Sequence, residues 1–370
     1  MKLVTLLAFG LLLVLGIALL PPEPAFGPYS RFDLISFREY RSISVPEVLE
    51  DNRNVMQMVY QLGLRAAMNK VALDPAYELN DSACHGAAHV VGRMAFNLMG
   101  ARSLLECTTQ CFSGCFHGAL QGMGARSAGS VGELASEIRD MCAQLPTVFE
   151  RSECVHGAGH GFLLYANYQL DDALTACELL ETPADSRECY AGVFMENLIG
   201  DSSEQRFRAN DLHYPCNQYD DPTIVEACYR LQPGRFLEAN ENNFIQAQHE
   251  CQRAPKVAQG VCFMRLGQLS GADTENPPAE TETFCEGVPD EFYDVCILGG
   301  LRQVIRVNGI DPSGTAAGFC RALTAPRAKE VCYAQYAKEL RDIFTDQEKR
   351  LQLCTLFEEP YDASCRAIAS

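Results

Sequence analysis

Two patterns of hydrophobic residues divide the chain. Residues 3–20 form an apolar run without a charge, and a Pro-Pro pair ends it. Farther along, apolar residues recur at helical spacing in shorter segments that prolines and polar bends separate. Residues 133–145 read as one helix that stops before Pro146, and residues 151–168 read as the next. The pattern therefore predicts antiparallel helical hairpins, and an all-α fold.

The N-terminal run predicts export. It is barely long enough to span a bilayer and longer than the core of a typical signal peptide. We therefore expect residues 1–27 to be either an uncleaved signal anchor or a cleaved signal peptide, followed by a linker over 28–50 and a helical domain over 51–370. In both cases the domain is exported, either membrane-anchored and facing the periplasm or extracellular space, or secreted.

The cysteines give the helical pattern a repeat period. All 18 lie between Cys84 and Cys365. From Cys142 onward they form pairs 11 or 12 residues apart, and successive first members are 34 or 35 apart except for one step of 39. Such periods are typical of two-helix repeat units. We place Cys142 in the last turn of one helix and Cys154 in the first turn of the next, so that a disulfide crosses the bend. The regular pairs are Cys142–Cys154, Cys177–Cys189, Cys216–Cys228, Cys251–Cys262, Cys285–Cys296, Cys320–Cys332 and Cys354–Cys365.

The first cysteines are irregular. Cys107 lies 35 residues before Cys142, which favours a Cys107–Cys115 staple and leaves Cys84 for Cys111. Zinc is the rival interpretation of spaced cysteines, but zinc knuckles need closer pairs and reduced thiols. Disulfides are therefore the prediction for all 18.

The layout over about residues 50–370 resembles tetratricopeptide-like repeat proteins, in particular their disulfide-rich secreted variants. The W-x2-L-G-x2-Y pattern is missing, and the chain has no Trp. The resemblance implies a right-handed α-solenoid of about nine two-helix repeats, the first and last acting as caps. It also implies a concave surface for a protein, peptide or glycan partner. The segments 200–215 and 271–284 are expected to be loops between helices.

Five of the seven histidines occupy matching places after the cysteines of the first three units. In a helix, a histidine pair spaced i, i+4 lies on one face and can bind a single metal ion. Each first histidine is followed by glycine, which suggests close helix approach or room for something bound. Duplication alone could also repeat structural histidines. The predicted ligands are His85, His89, His117, His156 and His160, with Glu196 as a further candidate.

Composition and motifs exclude several classes of function but do not select one. A net charge of −18 argues against nucleic-acid binding. The chain has no HExxH, GxSxG or Walker motif, and fully paired cysteines leave no thiol nucleophile. Two classes remain: a metal-dependent enzyme or carrier using Zn, Fe or Cu, and a non-catalytic solenoid scaffold. Whether the protein is an enzyme stays open at this point. If it is, Glu196 is the candidate proton-transfer group.

Overall fold

The protein is described here from a computed structural model. It describes residues 43–77, 81–199, 208, 210–272, 274–308 and 314–369. Within these ranges the chain forms α-helices and short 3₁₀ turns and contains no β-strand. The predicted all-α class is confirmed.

The described residues contain 19 α-helices. In chain order they are α1 Val45–Leu49, α2 Asn52–Leu62, α3 Leu64–Ala72, α4 Asp81–Met99, α5 Gln110–Arg126, α6 Val131–Cys142, α7 Val148–Tyr165, α8 Leu170–Cys177, α9 Pro183–Ile199, α10 Pro222–Tyr229, α11 Pro233–Ala239, α12 Phe244–Arg253, α13 Lys256–Ser270, α14 Pro277–Glu286, α15 Tyr293–Asn308, α16 Thr315–Ala322, α17 Pro326–Ile343, α18 Gln347–Cys354 and α19 Tyr361–Ala369.

The hairpin of α6 and α7 shows how the local sequence starts and stops each helix. Ser130 caps α6 and Thr147 caps α7, each in a reciprocal capping box with the glutamate three residues later. Cys142 ends α6 as predicted. Cys154 lies in the second turn of α7 rather than the first, because Thr147 starts that helix earlier than the apolar pattern suggested.

Nine disulfides pair all 18 cysteines, and the pairs coincide with those expected from the spacing. They are Cys84–Cys111, Cys107–Cys115, Cys142–Cys154, Cys177–Cys189, Cys216–Cys228, Cys251–Cys262, Cys285–Cys296, Cys320–Cys332 and Cys354–Cys365. Closing each short loop restricts the unfolded chain and stabilises its hairpin by roughly 2–3 kcal/mol. Disulfides at this density are typical of extracytoplasmic proteins.

The long helices pack side by side in chain order. Helix α4 packs on α5, α5 on α7 and α7 on α9, and the order continues through α10, α13, α15, α17 and α19. Helix α15 also returns to α5, and α17 to α7. Glu153 on α7 and Arg306 on α15 form an ion pair of 3.1 Å between these distant parts of the chain.

Glycines set the separation of the helices that carry the histidines. A Cβ atom added at Gly118 would collide with the carbonyl oxygen of His89, and one at Gly192 with that of His156. The helices therefore approach until their backbones touch, as the His-Gly motifs suggested. Gly86 is the exception, since nothing lies within 4 Å of its added Cβ.

Three predictions about segments need correction or lie beyond the described chain. Residues 271–284 are not all loop, because Pro277 begins α14, as proline commonly does at a first helical position. Residues 200–207 and 209 lie outside the described residues. Helix α1 begins at Val45, inside the segment expected to be a linker, and it buries Val45 and Val48.

The predicted transmembrane signal anchor is contradicted as far as the described residues extend. None of their helices combines the length and the apolar character that crossing a membrane requires. The segment for which the anchor was predicted, residues 1–27, lies outside the described residues. We withdraw the transmembrane assignment.

Candidate metal centre

The five histidines singled out by the sequence converge in the interior between α4, α5 and α7. They form two groups whose ligand atoms all lie within 4.8 Å of one another. We call His85, His89 and His117 the first triad, and His117, His156 and His160 the second triad. His117 is common to both. Four of the five residues are buried, and His85 is partly buried.

Hydrogen bonds fix the orientation of three of these rings. His85 Nδ1 lies 2.9 Å from the carbonyl oxygen of Cys111, His89 Nδ1 lies 3.1 Å from Gln121 Oε1, and His160 Nδ1 lies 2.8 Å from Glu196 Oε2. Each oxygen is an acceptor, so each Nδ1 carries the proton and donates it. The Nε2 lone pairs of all three rings are therefore available to a metal ion.

The ring nitrogens of the first triad face one another. His85 Nε2 and His89 Nε2 are 3.0 Å apart, and His117 Nδ1 is 3.3 Å from His89 Nε2. Two neutral imidazoles whose Nδ1 atoms are already protonated cannot hydrogen-bond through their Nε2 atoms, because neither has a proton to give. The separations match those between two nitrogens that each bind one ion at about 2.0–2.1 Å. A shared cation would resolve the contact.

The second triad contains buried nitrogens without a protein partner. His117 Nε2, His156 Nδ1 and His160 Nε2 make no hydrogen bond within the described part of the chain. Buried polar atoms are normally satisfied, so three such atoms on neighbouring rings indicate a ligand site. The thioether of Met195 lies 3.5 Å from the other ring nitrogen of His156, Nε2, and can accept its proton, which leaves the lone pair on Nδ1.

Glu196 contacts the cluster through His160. Its carboxylate also accepts hydrogen bonds from Gln121 Nε2 at 2.7 Å and from the Tyr168 hydroxyl at 3.0 Å. Burial alone would raise the pKa of Glu196, but the bonds from His160, Gln121 and Tyr168 outweigh it and the pKa is lowered. The carboxylate is thus held ionised. Gln121 links His89 to Glu196. The sequence did not single out Gln121 or Tyr168 as site residues. Gln121 nevertheless occupies the i+4 position after His117, where the other two motifs have histidine.

An unusual turn brings the carbonyl of Cys111 to His85. Cys111, Phe112 and Ser113 all have positive φ angles, 50°, 55° and 58°, in the left-handed region that residues other than glycine rarely adopt. The disulfide from Cys111 to Cys84 ties this turn to the start of α4, one residue before His85. Backbone strain of this kind is concentrated at functional sites.

Burial keeps the imidazoles of His85, His89, His117 and His156 neutral. It lowers the pKa of His85 to about 4. Burial, followed by repulsion from neighbouring imidazoles, lowers the pKa values of His89, His117 and His156 well below 6.5. Since a metal ion binds only the neutral ring, the free site is in its binding state near neutral pH.

The cluster borders a cavity of about 570 Å³. Its lining includes the first triad, Tyr168 and Glu196, together with Arg265 and Arg306. A smaller cavity connects the same arginines to His156 and Met195. The volume is typical of small-molecule sites.

The other two histidines lie outside the cluster. His213 Nδ1 is 2.8 Å from the Tyr229 hydroxyl, and its Nε2 is 2.9 Å from Glu250 Oε2. His249 is exposed. His213 is thus a packing residue and His249 a surface residue.

Comparisons with protein-family models, curated proteins and solved structures returned no match for this chain. The assignment of a function therefore depends on the geometry of the site.

Proposed function

We propose that this extracytoplasmic protein binds transition metal through the histidines of the two triads and presents it to a small molecule in the adjacent cavity. One observation carries the proposal. The Nε2 atoms of His85 and His89 face each other at 3.0 Å while both Nδ1 protons are donated elsewhere, an arrangement that a shared cation stabilises.

Within this proposal the five imidazoles are the ligands and Glu196 is a positioning residue. Its Oε2 accepts the His160 Nδ1 proton and so aims the His160 Nε2 lone pair at the ion. Carboxylate–histidine pairs of this kind fix ring orientation and raise the basicity of the ligand. Gln121 does the same for His89. Because His117 belongs to both triads, it can serve an ion in either one.

The donor atoms limit the range of metal ions that the site would bind. Imidazole suits Zn, Cu, Fe and Ni, whereas a thioether selects copper in its reduced state. The Met195 sulfur contacts His156 at Nε2 and not at the unpartnered Nδ1, so it does not choose among these metals.

The cavity favours ligand chemistry over simple storage. A carrier would enclose its ion on all sides, but His85, His89 and His117 all line the space next to the site. The scaffold alternative, with a protein or peptide on a concave face, gives no role to imidazoles buried in the interior. We therefore favour a metal-dependent enzyme, in which Glu196 and Tyr168 form a proton-transfer pair beside the ion.

We also propose that the helix order forms a right-handed α-solenoid of about nine two-helix repeats, similar to tetratricopeptide-like proteins. The regular staples and the chain-order packing of the long helices support this proposal.

Metal analysis of the exported, disulfide-bonded protein tests the site. Purified without chelators, it should contain stoichiometric metal by mass spectrometry. His117→Gln should remove that metal because both triads lose a ligand. Glu196→Gln should weaken the affinity by about 10–100-fold, since the neutral amide orients His160 less well.

His249→Gln is the matched control, because it changes an exposed histidine outside the cluster. Its metal content should equal that of the wild type. Negligible metal in the wild type after incubation with zinc, copper and iron salts would refute the proposal. Equal loss of metal from His117→Gln and His249→Gln would also refute it.

A further inference from the structure

The cavity beside the histidines is lined by several arginines, although the chain as a whole has a net charge of −18. Arg93, Arg265 and Arg306 all line the cavity, whereas Glu196 is the only acidic side chain among its described lining residues. Arg265 and Arg306 lie near enough to His85 to contribute, after burial, to its lowered pKa. The arginines and the first triad therefore face the same space.

Most of the neighbouring arginines are already neutralised by carboxylates. Arg306 pairs with Glu153 at 3.1 Å, Arg230 with Glu188 at 2.9 Å and Arg302 with Glu339 at 3.4 Å. Each of these three arginines therefore has a counter-charge. They leave Arg265 as the interior arginine to be explained.

Arg265 makes no hydrogen bond or ion pair within the described residues, and its Nε is buried. Burial, followed by repulsion from Arg306 and Arg230, lowers its pKa to about 10, so the guanidinium is still charged at neutral pH. The residue as a whole is partly buried, and a charge withdrawn from water without a counter-charge is unfavourable. A planar guanidinium matches the two oxygens of a carboxylate or phosphoryl group.

The rest of the cavity lining is largely apolar. Leu164, Leu198, Leu231 and Leu269 line it together with Phe112. An inorganic ion would leave this surface facing water, whereas an organic body would bury it. Apolar walls with one guanidinium fit a small molecule with an anionic head and a hydrocarbon part.

We propose that the cavity binds a small organic anion whose carboxylate or phosphoryl group pairs with Arg265 and whose apolar body packs against the leucines. The inference deepens the proposed function and rests on it for the role of the ion, which the bound molecule reaches through the first triad. In a metal-dependent reaction Arg265 would thus set the substrate class.

Isothermal titration calorimetry on the full exported chain tests this inference. Hexanoate, hexyl phosphate and hexan-1-ol are titrated into both metal-loaded and chelator-treated protein. At least one anion should bind about tenfold or more tightly than hexanol, because only the anions pair with the guanidinium. The stronger anion distinguishes a carboxylate site from a phosphoryl site.

Arg265→Gln should lose about tenfold or more of the anion affinity in both states, and Arg265→Lys should retain part of it. Removing an unpaired buried charge should not harm folding, which thermal unfolding can verify. The matched control is Arg341→Gln, at an exposed position outside the cavity.

Equal binding of hexanol and the anions, or unchanged affinity in Arg265→Gln, would overturn the inference. The two proposals fail separately. Arg265-dependent anion binding by a protein that never takes up metal would refute only the metal centre. A loaded metal centre without anion binding would refute only the anion site.

Discussion

For three of the five imidazoles, the hydrogen-bond acceptor at Nδ1 decides the tautomer. For His85 the acceptor is a backbone carbonyl, for His89 it is an amide oxygen, and for His160 it is the carboxylate of Glu196. All three place the lone pair on Nε2, towards the neighbouring rings. Desolvation then keeps His85 and His89 unprotonated. The cluster therefore favours metal ions over protons near neutral pH.

This arrangement predicts that the metal-free protein loses stability as the pH falls from about 6.5 towards 4. In the unfolded chain a histidine binds its proton near 6.5, whereas folded His85 does so only at about 4. Between these values the unfolded state binds more protons, so the free energy of unfolding falls with decreasing pH. Guanidinium denaturation in the presence of a chelator, at several pH values across this window, measures the effect.

Carboxylates change the free energy of unfolding at lower pH than the histidines do, so the two effects can be separated. The pKa values of Glu188 and Glu196 lie below 4.5 in the folded protein, so their contributions are lost only at more acidic pH. His85→Asn should show a shallower pH dependence above 4.5 than the wild type. An unfolding free energy that does not change across the histidine window would show that the rings are not held neutral by burial.

The histidine-bearing helices function as a group because glycine lets them approach closely. Ring nitrogens from α4, α5 and α7 come within one coordination sphere only when the helix backbones are in contact. Gly118 against His89 and Gly192 against His156 provide these contacts. The staples hold each hairpin, but the glycines set the spacing between hairpins.

Gly118→Ala should therefore destabilise the protein by about 2–3 kcal/mol and reduce its metal content, because the added methyl group forces α4 and α5 apart. Gly86→Ala is the matched control, with the same change in the same His-Gly motif but open space around the new Cβ. It should be neutral or stabilising by up to about 1 kcal/mol, through better helix propensity. Denaturant unfolding and metal analysis of both variants would test the difference; equal losses would contradict it.

At the scale of the whole described domain, distant repeats are coupled. Helix α15 packs on α5, and the Arg306–Glu153 pair lies between α15 and α7, with side-chain exposures of 18% and 2%. Repeat arrays with only neighbour contacts unfold in segments. The return of α15 to the histidine-bearing helices links the C-terminal repeats to the site, and the same helix supplies one wall of the cavity.

Glu153→Gln should weaken this link by roughly 2–3 kcal/mol, because it leaves Arg306 without its counter-charge. Hydrogen exchange followed by mass spectrometry should then show faster exchange in α15 as well as in α7. The control is Arg253→Gln, which removes an ion pair whose arginine side chain is 69% exposed and should change stability by less than about 1 kcal/mol. Faster exchange confined to α7 would show that the repeats are independent.

The sequence by itself determined the hairpins, the staples and the group of histidines. These features depend on local spacing: prolines stop helices, the period of the cysteines places each pair at a bend, and the i, i+4 rule puts His156 and His160 on one face. The predicted helix boundaries were wrong where a capping residue or a proline starts a helix earlier than the apolar pattern indicates, as at Thr147 and Pro277.

Only the tertiary structure decided what surrounds the histidines. Gln121, Tyr168, Met195 and Arg265 come from four different helices or turns, and no spacing rule relates them to one another. The tautomers of His85 and His89, the positioning contact of Glu196 and the unpaired charge of Arg265 all arise from contacts between residues far apart in the chain. Local patterns specify helices and turns, whereas burial and facing partners depend on how the helices pack together.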